Sequence, residues 1–147
     1  MSSTQANIHP VELENEAALA ECFAVMRELR GHLSYDEFVS LVHQAAARDQ
    51  YQLIAYYEGS LCIAVMGYRI LYDLVHGRHL YIDDLVVTEL QRNRGLGGIL
   101  LDFAEEKAAT LGCSSLRLCT GIDNEEGKRF YEKNEWRLRA VAYKKKL

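Results

Sequence analysis

Asp83-Asp84-Leu85-Val86-Val87, followed eight residues after Val87 by Gly95 in the run Arg94-Gly95-Leu96-Gly97-Gly98, decides how this chain is read. An apolar strand passes through a polar connector, residues 88–93, into a glycine turn and then an amphipathic segment with helical spacing. Strand, turn and helix in that order build an anion site. The first N–H groups of a helix have no intrahelical partner, and the helix dipole adds positive character there, so main chain alone can hold a phosphate. Gly95 and Gly97 allow the backbone to come close because no Cβ intervenes. Arg92 and Arg94 place cationic side chains at the mouth.

Working outward toward the C-terminus, Leu96, Leu100, Phe103, Lys107 or Ala108, and Leu111 recur on one helical face, and Gly112 follows as a stop. Residues 115–119 read as a short strand, 125–133 as a short helix and 137–143 as a final strand. Toward the N-terminus, residues 79–87 form the strand that feeds the glycine turn. Residues 51–57 and 61–71 form a hairpin around Glu58-Gly59-Ser60, and Gly67 inside its second strand marks a bulge or a close backbone approach.

Before the hairpin, Ser34-Tyr35-Asp36-Glu37 is a capping box opening a helix that buries Phe38, Leu41, Val42 and Ala45. A preceding helix from Asn15 carries Leu19, Cys22 or Phe23, Met26 and Leu29, with Gly31 as its expected C-terminal glycine. A short first strand holds Ile8, Val11 and Leu13 after a polar tail, residues 1–6. The order β, α, α, β, β, β, α, β, α, β predicts an α/β fold with one mixed sheet covered by helices.

Composition narrows the class. A chain of 147 residues is read as a single domain, 1–147, able to bury roughly 70% of the surface its unfolded form exposes. Its 49% hydrophobic and 26% charged residues describe an ordinary globular protein. A formal charge of -4 argues against nucleic acid as partner. Cys22, Cys62, Cys113 and Cys119 form no C-x-x-C pair and no signal peptide precedes them, so reduced thiols, a cytoplasmic location and no metal are expected. No apolar run reaches the 18 or so residues of a membrane span. Among phosphate-binding loops, the run after Gly95 lacks the third glycine of a dinucleotide fingerprint, and no Gly-Lys-Ser/Thr follows for a nucleoside triphosphate.

Arg92-Asn93-Arg94-Gly95-Leu96-Gly97 resembles the pyrophosphate loop R/Q-x-x-G-x-G/A of the GCN5-related N-acetyltransferases, and Asn124, Gly127 and Phe130-Tyr131-Glu132-Lys133 resemble the second motif of the same family. The resemblance runs from the first strand to Tyr143. Gly127 departs from the common alanine, a change expected to matter little, and Asn134-Glu135-Trp136 replaces the usual apolar-Gly-Phe, which makes Asn134 the expected left-handed residue closing the helix. The resemblance implies the family's splayed mixed sheet flanked by helices and acetyl-CoA as co-substrate. The backbone of Leu85, Val86 and Val87 would pair with the pantetheine arm, and Arg92, Asn93, Arg94, Gly95, Leu96, Gly97 and Gly98 would hold the diphosphate. An amine acceptor is the other implied partner, with no nucleic acid or membrane, and a homodimer is compatible with it.

The implied chemistry needs two proton transfers. Tyr131 suits the acid that protonates the departing thiolate, because a phenol of pKa about 10 stays protonated at neutral pH and lies near a thiol of about 8.5. Asn124, Gly127 or Lys128, and Tyr131 share one helical stripe, and Asn124 is either a cap or a cofactor contact. An alkylammonium is neutral in roughly one molecule in 2,500 at pH 7, so its deprotonation costs about 4.6 kcal/mol. Asp83 and Asp84 are the candidate bases or attractors. A regular strand would turn only one of them to the cleft; a bulge would change that. His76 and His79 are read as loop and strand-edge polar residues. The leading function is N-acetyl transfer from acetyl-CoA to a primary amine of a small molecule or peptide. Alternatives are an amino-sugar-phosphate acceptor and a non-catalytic acyl-CoA sensor.

Overall fold

A computed structural model describes residues 7–147, and the polar tail expected over residues 1–6 lies outside them. The chain divides into two compact units, Met1–Arg117 and Leu118–Leu147. In the first, β1 (Ile8–Pro10), α1 (Glu16–Met26), α2 (Tyr35–Asp49), β2 (Gln52–Glu58), β3 (Leu61–Asp73) and β4 (Gly77–Val87) are followed by a single 3-10 turn, Glu89–Gln91, and by α3 (Leu96–Thr110). Strand β5 (Ser115–Leu118) closes the sheet, whose order is β1-β2-β3-β4-β5. The pairs from β1 to β4 are antiparallel. Helix α3 is the crossover that returns β5 beside β4, the connection a parallel pair requires, so the sheet is mixed.

The core forms where period-2 strands meet period-3.6 helices. Leu19, Cys22, Val25 and Met26 of α1 and Phe38 and Val42 of α2 pack with Leu53, Ala55, Val65 and Val86 of the sheet. Leu96, Leu100, Leu101, Ala104 and Ala108 of α3 are buried as well. The capping box of α2 is present, with Ser34 Oγ accepting from the Glu37 N–H at 3.1 Å and Glu37 Oε1 accepting from the Ser34 N–H at 2.9 Å.

Several expectations change. Helix α1 stops at Met26, five residues before Gly31; beyond it the Arg30 N–H still closes a turn on the Met26 carbonyl at 2.8 Å, while the side chains of Glu28 and Arg30 reach strand β4 and the residues after it. Leu29 and Leu41 are exposed, not buried. The first strand ends at Pro10, after which the Val11 N–H reaches across to the Leu53 carbonyl at 2.8 Å.

In the second unit, α4 (Glu125–Lys133) is present, but residues 137–143 form no strand and Leu138, Val141 and Tyr143 are exposed. Alternation supplies strand propensity only; a strand also needs a ladder partner, and residues 119–136 give a turn and a helix instead. The left-handed residue after α4 is Glu135, at φ 69°, not Asn134, which instead donates from Nδ2 to the Phe130 carbonyl at 2.8 Å.

Candidate active site

Strand β4 has two edges with different fates. On one side Leu85, Val86 and Val87 pair with Met66, Val65 and Ala64 of β3. On the other, β5 enters beside Arg78, where the Ser114 N–H donates to the Arg78 carbonyl at 2.9 Å, and it is only four residues long. At about 3.3 Å per residue it ends well before Leu85. The outer edge of residues 85–87 is therefore beyond the reach of β5.

The chain next turns through Asn93, at φ 66°, and Gly95, at φ 77°, before α3 begins. Gly95 is the N-cap and offers no side chain, and the first N–H with an intrahelical partner is that of Ile99, bonded to the Gly95 carbonyl at 3.1 Å. The N–H groups of Leu96, Gly97 and Gly98 point out of the helix start as uncapped donors. The two arginines expected at the mouth are tied down. Arg92 donates from Nε to the Val87 carbonyl at 3.0 Å and lies 3.8 Å from Glu28, while Arg94 donates to Glu58 at 2.6 Å and to Gln91.

The register of β3 and β4 shifts between Gly67 and Tyr68, so that Gly67 faces Asp84, Tyr68 faces Ile82, and Asp83 is the extra residue of a bulge. Both readings of Gly67 hold, since a Cβ there would stand 1.8 Å from the Tyr51 hydroxyl. The Tyr51 ring thus crosses β3 over bare backbone and donates to Asp84 Oδ2 at 2.7 Å. Arg30 donates from Nε to Asp84 Oδ1 and from Nη2 to the Asp83 carbonyl, each at 2.9 Å. Asp83 receives both arms of Arg69, at 2.9 and 2.8 Å. Burial, only partly offset by Arg69, raises the Asp83 carboxyl above the ordinary range. Burial first, and the Asp84 charge second, push the Tyr51 phenol up, so it stays a donor.

Sequence reasoning found both aspartates and missed Arg30, Tyr51 and Arg69, which lie 54, 33 and 14 residues from their partners. Gly67 was the one available signal. A glycine inside a strand announces that something passes over it, without saying what.

In the second unit, Asn124 Oδ1 accepts from the Gly127 N–H at 3.0 Å and its Nδ2 donates to Thr120 Oγ1 at 2.9 Å, which makes it the cap of α4. A Cβ at Gly127 would lie 2.4 Å from Asn124 Nδ2, the end of the capping side chain, so an alanine there would make that amide shift. Tyr131 packs against Phe130 and Trp136, with ring centroids 5.1 and 5.9 Å away, and burial raises its phenol pKa.

A family model described as Acetyltransferase (GNAT) family matches residues 14–136. The chain belongs to the GNAT acetyltransferase family. A relative from Bacillus subtilis (strain 168), named an uncharacterized N-acetyltransferase, YhdJ, is 32% identical over 124 residues, covering 84% of this chain and 87% of that one. A thialysine N-epsilon-acetyltransferase from Mus musculus is 29% identical over 75 residues, 51% of this chain and 44% of that protein. Among solved structures, the aminoglycoside N-acetyltransferase AAC(6')-Iy in complex with CoA superposes with a TM-score of 0.80 at 16% identity, covering 95% of this chain and 94% of that one. At that identity the likeness concerns the GNAT fold. Among the described residues, no helix is long and apolar enough to cross a membrane.

Proposed function

We propose that the protein uses acetyl-CoA to acetylate a primary amine of a small molecule or peptide, with residues 1–147 working as one catalytic domain. The observation that carries this reading is the pairing of an edge that β5 cannot reach, at Leu85, Val86 and Val87, with the three uncapped donors of Leu96, Gly97 and Gly98, nine to eleven residues after Val87. The arm of the cofactor is a chain of amides that adds to the open edge as a strand would, and the diphosphate lies on the helix start. Asn93 and Gly95 shape that loop through their left-handed backbones. Arg92 and Arg94 hold it to Glu28 and Glu58.

In the reaction the amine nitrogen attacks the thioester carbonyl carbon, the carbon–sulfur bond breaks, and the thiolate takes a proton while the amine gives one up. Tyr131 supplies the proton to sulfur. Burial raises its pKa, so the phenol carries the proton at neutral pH and is available to give it up. Asn124 supports the start of that helix as its cap. The two aspartates divide the remaining work. Asp84 is committed to two separate donors, Tyr51 and Arg30, whereas among the described residues the Asp83 carboxylate meets Arg69 alone and has a pKa raised by burial, so Asp83 is the better proton acceptor. The mouse relative's name, which specifies a side-chain amine, supports a lysine-like acceptor.

The test is a melting curve with and without acetyl-CoA, followed by thiol-release assays over a panel of amines. Stabilisation should approach about 2.7 kcal/mol at a hundredfold excess over Kd. No shift at millimolar acetyl-CoA would reject the reading.

A further inference from the structure

Three potential ligands converge at the tip of the β3–β4 hairpin, away from the loop that opens α3. Asp73 ends β3, His76 sits in the turn and His79 lies two residues into β4, so the sequence Asp73-x-x-His76-x-x-His79 folds back on itself. One donor atom from each lies within 4.8 Å of the others. Asp73 Oδ2 is 3.1 Å from His76 Nδ1 and 3.9 Å from His79 Nε2. A tetrahedral ion with bonds of 2.0–2.1 Å separates its ligand atoms by about 3.3 Å, so small rotamer adjustments bring the three into range.

The supports of these groups are arranged as a metal site requires. Asp73 Oδ1 accepts the N–H groups of Val75 at 3.0 Å and His76 at 2.6 Å and lies 3.2 Å from His76 Nδ1, while Oδ2 faces both imidazoles. His79 is completely buried. Its Nδ1 is 3.0 Å from the Gly77 carbonyl, an acceptor only, so Nδ1 carries the proton and Nε2 presents its lone pair. A backbone carbonyl fixing the far nitrogen of a buried histidine is the usual outer support of a metal ligand.

A positive group already occupies the focus of the cluster. Arg117 donates from Nε to His79 Nε2 at 3.3 Å, and its Nη2 stands 3.8 Å from Asp73 Oδ2. It rests over the Tyr81 ring, 4.7 Å from the centroid, with its side chain about one-third exposed at 35%. The contacts to His79 and Asp73 are long, and the Arg117 side chain is partly exposed to solvent.

We propose that Asp73, His76 and His79 form a binding site for a divalent first-row cation of the zinc class, which takes the place Arg117 holds between Asp73 and His79. Two imidazoles and one carboxylate suit zinc, cobalt or nickel better than magnesium or calcium, which prefer all-oxygen sites. The fourth position falls to water.

The experiment uses the full, untagged chain stripped with a chelator, titrated with Zn2+ against a chromophoric competitor, with Co2+ as a spectroscopic probe. One equivalent should bind, and bound Co2+ should give the intense visible bands of a four-coordinate site. His76→Ala should weaken Zn2+ binding by about tenfold or more, and Arg117→Gln should strengthen it. Because Asp73 also anchors the turn, His76→Gln provides a second ligand variant, with its melting temperature measured to show that it folds. Absence of a one-equivalent site, survival of that site in both His76 variants, or unchanged affinity in Arg117→Gln overturns the proposal.

Discussion

The turn from Asn93 to Gly98 and the bulge at Asp83 and Asp84 are neighbours along the chain and opposites in construction. The turn is made of main chain, and its donors at Leu96, Gly97 and Gly98 are uncapped within the protein. The bulge is made of side chains, and Asp83 and Asp84 are already satisfied by Arg69, Arg30 and Tyr51. A main-chain site is specified by a few consecutive residues. A side-chain network is specified by partners scattered over the sequence, and its loss is felt first as stability and only then as chemistry.

The sharpest way to break the contrast is Gly97→Glu, which puts a carboxylate where the turn should receive an anion. Gly97 is not among the positive-φ glycines, so backbone strain does not confuse the result. The whole acetyl-CoA-induced shift in melting temperature should disappear, while the melting temperature without ligand changes little. A retained shift means the diphosphate binds elsewhere.

Next in size is Tyr131→Phe, which removes one hydroxyl and leaves the packing against Phe130 and Trp136. Turnover should drop by about 10² or more with acetyl-CoA affinity within a few-fold, as removal of a general acid requires. Unchanged kcat would assign thiolate protonation to water.

The bulge itself is tested through two pairs of variants. Tyr51→Phe deletes a hydrogen bond to an ionised group and should cost about 1.5–3 kcal/mol of stability in urea unfolding. Gly67→Ala forces a methyl against the Tyr51 ring and should cost about 1–3 kcal/mol, a penalty that vanishes in the Tyr51→Ala background. Additive losses would show that the ring does not need the glycine. Separately, Asp84→Asn should lower stability more than activity and Asp83→Asn the reverse, with the Asp83→Asn defect in kcat/KM deepening at low pH for a lysine-like amine. A uniform rise in KM instead would make Asp83 an attractor of the cation.

The smallest expected effect is a titration. The N–H of His76, and then its side chain, hold the Asp73 carboxyl down at about 2. For an acid whose folded pKa lies below its unfolded one, the stabilisation is complete above the unfolded value near 3.9 and fades as pH falls through about 2. Carboxyl-carbon NMR should place the Asp73 midpoint near the lower figure. A midpoint near 3.9 would mean that the turn does not hold Asp73 as described.

What the sequence disclosed follows the same division. Strand β4, the glycine turn, α3 and the capping box at Ser34 were readable because each depends on residues a few positions apart. The end of α1 was not, since Gly31 gave a plausible stop while Glu28 and Arg30 answered to partners more than fifty residues away. The alternation over residues 137–143 misled for a related reason: a strand is half of a pair, and the missing half has no local signature. Asn134 was misplaced by one residue, because its side chain found the Phe130 carbonyl and passed the left-handed turn to Glu135. At the site, the aspartates were visible as residue types, but their engagement with arginines was not.

The sheet order, in which strands neighbour one another as they follow in sequence, also bears on how the molecule assembles. The hairpins β2–β3 and β3–β4 close over short connections, residues 59–60 and 74–76, so their loop-closure entropy is small and they can form on the microsecond scale of isolated hairpins. Pairing of β1 with β2 must wait for the two helices between them, and β5 must wait for α3. We expect the three-stranded meander to serve as the folding nucleus. In pulsed hydrogen exchange during refolding, the amides of Ile54, Val65 and Val86 should gain protection before those of Leu116 and Arg117. Simultaneous protection would point instead to a nucleus spread over the whole sheet.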